Sequence, residues 1–177
     1  MIISLTGFMG CGKSSVGREL STLLSCCLMD LDDVIEERAD RSIPEIFSTD
    51  GEQYFRDLEK EVLTDIILVH GNVSTPTVLA LGGGTVMTDE CERIVHEKTT
   101  CIYLKASVDT LVGHLEDQAS GRPLLNSGAA LRERILDLLA KRSATYGRTA
   151  HHIIETDGKS IQEIAKEVTT ILTPSKP

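Results

Sequence analysis

The chain has 177 residues, enough for one domain with its own hydrophobic core, and its 41% apolar and 25% charged residues are typical of soluble proteins. Its formal net charge of -9 argues against broad binding to nucleic acid or to anionic membranes. The sequence shows neither a signal peptide nor an apolar run long enough to span a bilayer, so we expect a cytoplasmic protein whose anionic ligands are bound by a local cluster of Arg, Lys and backbone N–H groups.

Short apolar segments alternate with longer amphipathic ones along the chain. The apolar segments predict buried strands at 2–6, 26–30, 77–81, 100–104 and 151–156. The amphipathic segments predict helices at 13–24, 50–69, 88–96, 107–116, 129–146 and 160–172. Strands that alternate with helices predict right-handed crossovers and a parallel sheet covered on both faces.

Two Ser-x-x-Glu sequences, at 42–45 and 160–163, are capping boxes that mark helix starts. The first lies in a long helical excursion, about 32–70, between the second and third strands. The stretch 116–130 is rich in Gly, Ser and Asn and is typical of a mobile loop. We expect the final residues, 173–177, to be disordered.

The cysteines are Cys11, Cys26, Cys27, Cys91 and Cys101. An odd number without metal-ligand or disulfide spacing indicates reduced thiols. Adjacent cysteines in an apolar run favour buried packing over a metal pair, so we expect Cys26 and Cys27 to be buried. Cys11 lies just before a predicted helix, where an exposed thiol can have a lowered pKa, and we hypothesise that it is sensitive to oxidation.

A glycine-rich segment, GFMGCGKS at 7–14, follows the first strand and fits the phosphate-binding pattern G-x-x-x-x-G-K-[S/T]. Its glycines expose bare backbone, and successive N–H groups can point into one concavity at a helix N-terminus. Lys13 can reach the β- and γ-phosphates, and the Ser14 hydroxyl can bind Mg²⁺. The pattern predicts a nucleoside triphosphate site but does not identify the acceptor.

Three carboxylates, Asp30, Asp32 and Asp33, end the second strand at the sheet edge where α/β proteins bind ligands. Period-two spacing places Asp30 and Asp32 on one side if the extended conformation persists. One of the two could help to hold Mg²⁺, and the other could bind or orient a substrate hydroxyl. The alternative is a helix cap, which suits Asp33 at least as well as a catalytic role does.

Other segments suit an anionic, polyhydroxylated acceptor. Gly82–Gly84 follow the third strand and allow backbone N–H groups to approach a ligand closely. Arg56 and Arg142 could clamp a carboxylate, and Arg122, in the loop-like stretch, could neutralise a transferring phosphate. We therefore predict two adjoining pockets, one for a triphosphate and one for an acid.

In combination, these segments resemble the shikimate kinase family. The matching segments, in the family's order and spacing over about residues 2–170, are GFMGCGKSSVGREL, DLDDVIEERADRSIPEIFSTDGEQYFRDLEKEVL, LGGGTV, RPLL and KRSATY. The resemblance implies ATP-dependent phosphorylation of the shikimate 3-hydroxyl, in chorismate and aromatic amino-acid biosynthesis. It also implies a three-layer α/β fold of the P-loop kinase type, with a five-stranded parallel sheet of order 2-3-1-4-5. The single domain, 1–177, would carry a substrate-binding subdomain at about 32–70 and a lid at about 113–128.

On the nucleotide side, the resemblance assigns ATP and Mg²⁺ to the glycine-rich loop and the lid. The residues that match the ATP-binding positions are Gly10, Cys11, Gly12, Lys13, Ser14, Ser15 and Arg122. Ser14 and Asp30 match the positions next to the metal. Lys13 and Arg122 are predicted to act in catalysis.

On the acceptor side, the resemblance implies that Asp32 contacts the shikimate hydroxyls and acts as base. Arg56 and Arg142 match the pair that holds the carboxylate, and Gly82, Gly83 and Gly84 match the backbone contacts. We expect shikimate and ATP as small-molecule partners, no nucleic-acid or membrane partner, and a monomer.

The sequence departs from the family pattern in two places. Asp40 precedes Arg-Ser-Ile where the family often has Gly, and the lid lacks the arginine that usually packs on adenine, leaving His114 as the candidate. The segment 155–160 does fit the loop that lies beneath the adenine of ATP in the family pattern. Three other functions stay open: a sugar-acid kinase similar to gluconate kinase, a nucleotide-binding regulatory protein without transfer activity, and, with less support, a nucleoside monophosphate kinase.

Overall fold

The structure is a computed structural model that describes residues 1–119 and 128–173. Arg122 therefore lies outside the described residues, as do residues 120–127 of the predicted lid and residues 174–177 of the tail. The division into subdomain and lid stays a prediction.

Five parallel strands form one sheet, in the order β2-β3-β1-β4-β5 that the family resemblance implied. The strands are β1 Ile2–Thr6, β2 Cys27–Asp30, β3 Thr77–Ala80, β4 Thr100–Lys105 and β5 His152–Glu155. Leu5 of the central strand lies opposite Ala80 of β3 and Ile102 of β4. Each predicted strand is found, and no bound differs from the prediction by more than one residue.

Helices flank this sheet. They are α1 Lys13–Leu24, α2 Leu31–Ala39, α3 Ile43–Thr49, α4 Gly51–His70, α5 Asp89–Lys98, α6 Val108–Ala119, α7 Gly128–Thr149 and α8 Ile161–Leu172, with a short 3-10 helix at Thr85–Met87. Helix α1 packs against α8, and α5 packs against α7. None of the described helices is both long enough and apolar enough to cross a membrane.

The predicted burial is right for the three central strands and wrong for the two edge strands. β1 and β3 are buried throughout, and in β4 only the terminal residues have exposed surface, whereas β2 and β5 are largely accessible. A neighbouring strand covers only one side of an edge strand, a property that depends on strand order and not on local sequence. Cys27 is exposed and Cys26 half-buried for this reason, so the prediction that both are buried is wrong.

The excursion between β2 and β3 consists of three helices. The predicted capping box at Ser42 opens α3, and the second one, at Ser160, opens α8. Helix α2 ends at Ala39, and Asp40 is its C-cap, with a φ of 50° in the left-handed region. The position where the family often has glycine thus takes a conformation that glycine adopts most easily and that Asp tolerates.

The carboxyl ends of β1, β2 and β3 bring distant parts of the sequence to one edge of the sheet. The glycine-rich loop follows β1, Asp30 is the last residue of β2, and Gly82–Gly84 follow β3. Because β3 lies between β1 and β2, the triple glycine lies between the glycine-rich loop and the carboxylates.

Candidate active site

The glycine-rich loop leads directly into α1. Gly10 and Gly12 have backbone φ angles of 78° and 96°, in the left-handed region that residues other than glycine rarely adopt. Gly12 is the N-cap of α1, so the first-turn N–H groups, which have no acceptor within the helix, face the end of the loop. Together with the helix dipole, this arrangement favours an anion such as a phosphate.

Lys13 folds its side chain back over the loop. Its Nζ donates hydrogen bonds to the carbonyl oxygens of Gly7, at 2.9 Å, and Phe8, at 3.1 Å. The ammonium group is therefore held where a bound phosphate could take the place of these carbonyl oxygens.

A cavity of about 570 Å³ lies at this edge of the sheet, and we call it the nucleotide cavity. Its lining residues are Met9, Gly10, Gly12, Lys13, Ser14, Ser15, Asp30, Asp32, Leu81, Gly83, His114 and Ile161. The structure thus brings the predicted phosphate, metal and base residues into one cavity, apart from Cys11 and Arg122.

Ser14 and Asp30 meet on the wall of the nucleotide cavity. The Ser14 hydroxyl donates to Asp30 Oδ2 at 2.7 Å, which places two oxygen ligands side by side. Mg²⁺ commonly takes one or two protein oxygens and completes its shell with water and phosphate. Within residues 1–119 and 128–173, no cluster of three or more His, Cys, Asp or Glu side chains could hold a metal. A hydroxyl and a carboxylate oxygen side by side fit a magnesium ion that is shared with a phosphate ligand.

The backbone turns at Asp30, earlier than the period-two spacing assumed. Asp32 lies in the first turn of α2, and it still lines the same cavity as Asp30. Asp30 caps the helix, because its Oδ1 accepts a hydrogen bond from the Asp32 N–H at 3.2 Å. The suggestion that Asp33 caps α2 is wrong, since Asp33 is an exposed first-turn residue.

The surroundings of Asp32 raise its pKa to about 6. Burial is the largest cause, and the negative charges of Asp30 and Glu59 act in the same direction, partly opposed by Lys13. A carboxyl group that titrates near 6 is ionised at neutral pH yet more basic than an ordinary aspartate. This property suits a group that accepts a proton.

The three glycines after β3 lie in close packing. A Cβ on Gly82 would lie 2.7 Å from Asp32 Oδ1, and one on Gly84 would lie 2.9 Å from Arg56 Nη2. A Cβ on Gly83 would lie 3.3 Å from the Met9 backbone nitrogen, in the glycine-rich loop. Protein groups of both predicted pockets therefore lie close to these glycines, and the predicted approach of their backbone N–H groups to a ligand stays a prediction.

A second cavity of about 520 Å³ contains both predicted carboxylate ligands, and we call it the acceptor cavity. Its lining residues are Glu52, Gln53, Arg56, Met87, Thr88, Leu138, Lys141 and Arg142. Arg56 comes from α4 and Arg142 from α7, so tertiary packing brings two distant guanidinium groups to one place.

An ion pair holds Arg56 in position. Its Nη1 donates to Glu59 Oε2 at 2.7 Å, and its Nη2 lies 3.4 Å from Glu52 Oε1. Glu59 is buried, and its other carboxylate oxygen accepts a hydrogen bond from the Thr85 hydroxyl at 2.7 Å. Burial lowers the pKa of Arg56, but the hydrogen bonds and charges of Glu59 and Glu52 together raise it by more, so the guanidinium stays charged.

The Gly83 carbonyl links the two cavities. Gly83 lines the nucleotide cavity, and its carbonyl oxygen accepts a hydrogen bond at 3.3 Å from Arg142, which lines the acceptor cavity. The same oxygen accepts a hydrogen bond from the Tyr146 hydroxyl. Arg142 also lies near the ring of Phe8, with its Cζ 6.0 Å from the ring centroid. The two predicted pockets therefore adjoin at Gly83.

Sequence reasoning missed three residues of this region: Glu59, Lys141 and Tyr146. Glu59 lies one helical turn after Arg56, a spacing that could have suggested an ion pair. Lys141 adjoins Arg142 in sequence, and Tyr146 follows Arg142 by four residues on the same face of α7. None of these signals is specific, because the same spacings occur on many exposed helices.

The Cys11 hypothesis is contradicted by the structure. Cys11 is buried, at 3% exposure, and its Sγ points toward Gly7 inside the loop. Burial is the largest influence on this thiol and raises its pKa, although Lys13 lowers it in part. A buried thiol with a raised pKa lacks the exposure and the thiolate character that rapid oxidation requires.

His114, the candidate for the adenine-packing position, lies against the glycine-rich loop. Its Nδ1 is 2.7 Å from the Gly10 carbonyl oxygen, and the residue lines the nucleotide cavity. In the 155–160 segment, the Asp157 carboxylate accepts hydrogen bonds from the Ser107 N–H and the Thr110 hydroxyl, which fixes the start of α6. The predicted role of Arg122 falls on a residue outside the described part of the chain.

Comparison with known sequences agrees with this geometry. The sequence model of the shikimate kinase family matches residues 9–173. The shikimate kinase of Dictyoglomus turgidum is 39% identical over 168 residues, which cover 94% of each chain. A shikimate kinase of Thermus thermophilus is 39% identical over 166 residues, covering 94% of this chain and 86% of the relative.

Solved structures give the same result. Shikimate kinase from Acinetobacter baumannii, in complex with shikimate, has a TM-score of 0.83 and 30% identity, and the match covers 97% of this chain and 92% of that one. The Aquifex aeolicus enzyme has a TM-score of 0.78 and 31% identity, covering 97% and 96%. The family match over residues 9–173 and the 39% identity to curated relatives place this chain in the shikimate kinase family.

Proposed function

We propose that this chain transfers the γ-phosphate of ATP to the 3-hydroxyl of shikimate. The observation that carries the proposal is that Arg56 and Arg142 line one cavity, which adjoins the phosphate-loop cavity at Gly83. Two guanidinium groups suit a carboxylate, and the adjoining loop suits a triphosphate. In support, the similar Acinetobacter baumannii enzyme was solved in complex with shikimate.

On the nucleotide side, we propose that the loop backbone and Lys13 bind the phosphates. The contributing residues are Gly10, Cys11, Gly12, Lys13, Ser14 and Ser15, with Cys11 acting through its backbone because its side chain is buried. Arg122 is proposed as a further phosphate ligand from the lid. Phosphoryl transfer needs positioning and charge neutralisation more than covalent chemistry, and these groups provide both.

Ser14 and Asp30 would hold Mg²⁺. When bound, the ion would supply positive charge next to the phosphates, in addition to that of Lys13. The hydroxyl and carboxylate oxygens already lie 2.7 Å apart, so a small cation could bind both after the Ser14 hydroxyl turns its proton away.

On the acceptor side, Arg56 and Arg142 would hold the carboxylate of shikimate, and the backbone of Gly82–Gly84 would contact the same molecule. Asp32 would accept the proton of the 3-hydroxyl as that oxygen bonds to the γ-phosphorus and ADP leaves. Although its pKa is raised to about 6, Asp32 is still mostly ionised at neutral pH, and the raised pKa makes it a better proton acceptor than an ordinary aspartate.

A side-by-side assay of ADP release with shikimate, with gluconate and without acceptor tests the proposal. We expect strong stimulation by shikimate alone. Stimulation by gluconate instead would favour a sugar-acid kinase, and nucleotide binding without stimulation by either acid would favour a regulatory protein. We expect a monomer, which gel filtration can test.

A further inference from the structure

Tyr146 is a buried residue to which the proposed reaction assigns no role. Its side chain has no exposed surface, and it lies on α7 four residues after Arg142. Residues four apart lie on the same helix face, so both side chains point toward the carboxyl edge of the sheet.

The Tyr146 hydroxyl and Arg142 share one acceptor. The hydroxyl donates to the Gly83 carbonyl oxygen, and Arg142 Nη1 donates to the same oxygen at 3.3 Å. A carbonyl oxygen has two lone pairs, so both bonds can form at once. The carbonyl is thus the point against which the guanidinium is placed.

The glycine-rich loop lies close to Gly83. A Cβ at this position would lie 3.3 Å from the Met9 nitrogen and 3.7 Å from the Gly7 carbonyl oxygen. The glycine-rich loop therefore passes close to Gly83, whose carbonyl oxygen is held by the Tyr146 hydroxyl. Burial raises the pKa of Tyr146 to about 12, so the hydroxyl remains a donor at any working pH.

We propose that Tyr146 is a positioning residue for the acceptor cavity: its buried hydroxyl fixes the Gly83 carbonyl, and the fixed carbonyl orients Arg142. The inference rests on the proposed function only in taking Arg142 as a ligand of the acceptor carboxylate. Loss of the hydroxyl leaves the Gly83 carbonyl bound to Arg142 alone. The guanidinium then samples other orientations and binds the acceptor carboxylate less tightly.

The test is Tyr146→Phe, which removes one oxygen and keeps the ring. Tyr103→Phe is the matched control: Tyr103 is also buried, its ring centroid lies 5.2 Å from that of Tyr146, and its hydroxyl makes no hydrogen bond within the described part of the chain. A neutral hydrogen bond has a modest net value, so we expect the shikimate KM of Tyr146→Phe to rise by about three- to tenfold. The kcat and the ATP KM should change by less than about twofold, and Tyr103→Phe should match wild type in all three.

Two further measurements separate positioning from simple stability. In a double-mutant cycle with Arg142→Lys, we expect the two changes in shikimate KM to be non-additive, because both act on one carbonyl. The NMR signal of the Arg142 Nε–H, recorded without substrate, should shift in Tyr146→Phe and stay in place in Tyr103→Phe. This signal tests Tyr146 even if the chain proves not to phosphorylate shikimate.

An unchanged shikimate KM with a lower Tm would make the hydroxyl a stability group and overturn the proposal. Additive effects in the cycle, or an unmoved Arg142 signal, would also overturn it. So would a Tyr146→Phe protein that no longer unfolds cooperatively, since the hydroxyl would then serve folding.

Discussion

Arg56 and Glu59 lie one turn apart on α4 and form an ion pair in which Nη1 is 2.7 Å from Oε2. The Glu59 side chain is 1% exposed and that of Arg56 is 19% exposed, so the pair lies at the boundary between the core and the acceptor cavity. The other carboxylate oxygen of Glu59, Oε1, accepts a hydrogen bond from the Thr85 hydroxyl, so both oxygens have a partner. One guanidinium of the proposed carboxylate clamp is therefore fixed before any ligand binds.

Glu59→Gln should weaken both the fold and acceptor binding. The neutral amide cannot balance the Arg56 charge, and breaking a largely buried pair costs about 2–4 kcal/mol of unfolding free energy. We expect this loss in urea unfolding, together with a higher shikimate KM. Glu52→Gln is the control: its partner is the same arginine, but its side chain is 70% exposed, so stability should change little. A Glu59→Gln protein with wild-type stability would show that the pair is dispensable.

Arg142→Ala should act mainly on acceptor binding. A hydrogen-bonded charge pair has a net value of roughly 1.5–3 kcal/mol, which corresponds to roughly a 10- to 100-fold rise in shikimate KM. The ATP KM should stay near wild type in the same assays. Arg148→Ala is the control, because Arg148 lies on the same helix but pairs with Glu92 and lines neither of these two cavities. An unchanged shikimate KM in Arg142→Ala would refute the proposed clamp.

The pKa of Asp32 predicts a pH profile. Because burial and neighbouring carboxylates raise this pKa to about 6, kcat/KM for shikimate should fall as pH drops through about 6, where the base becomes protonated. A profile that stays flat down to pH 5 would exclude Asp32 as the base.

The same shift predicts an opposite effect on stability. The folded-state pKa of about 6 lies above the ordinary value of 3.8, so the folded protein binds an extra proton between these pH values. Ionised Asp32 therefore costs stability, and the cost grows as pH rises through this window and is complete above about 6. After allowance for solvent screening, Asp32→Asn should stabilise the protein by about 1–2 kcal/mol at pH 8 and little at pH 3.5. Thermal unfolding at the two pH values measures the difference.

Lys13→Ala should nearly abolish turnover while leaving shikimate binding intact. The ammonium group is the charged donor in the glycine-rich loop, and loss of one such donor to a transition state costs about 100- to 1,000-fold in kcat. The variant also loses the two hydrogen bonds to Gly7 and Phe8, so its Tm should be measured alongside. Substantial remaining kcat in a folded variant would contradict the assignment.

Thiol reactivity should follow exposure. Cys27 is exposed, whereas Cys11, Cys91 and Cys101 are buried, and burial raises the pKa of all three buried thiols. A disulfide reagent should react fastest at Cys27, so Cys27→Ser should remove the fast phase and Cys11→Ser should keep it. Fast labelling that disappears in Cys11→Ser would restore the oxidation hypothesis.

The sequence by itself predicted the parts that depend on local pattern. The glycine spacing at 7–14 predicted the phosphate loop, because tight turns and an exposed backbone need glycine wherever they occur. Apolar runs predicted each strand, and two capping boxes predicted the starts of α3 and α8. The order of the strands came from resemblance to a family and not from the pattern of residues.

Tertiary structure decided the properties that depend on burial and on contacts between distant residues. Glu59 is joined to Thr85 across 26 positions, and Tyr146 to Gly83 across 63. The same packing raises the pKa of Asp32 above that of an ordinary aspartate, buries the Cys11 thiol and leaves the edge strands accessible. Desolvation and hydrogen bonding act through space, and a linear sequence does not specify which distant groups share that space until the chain has packed.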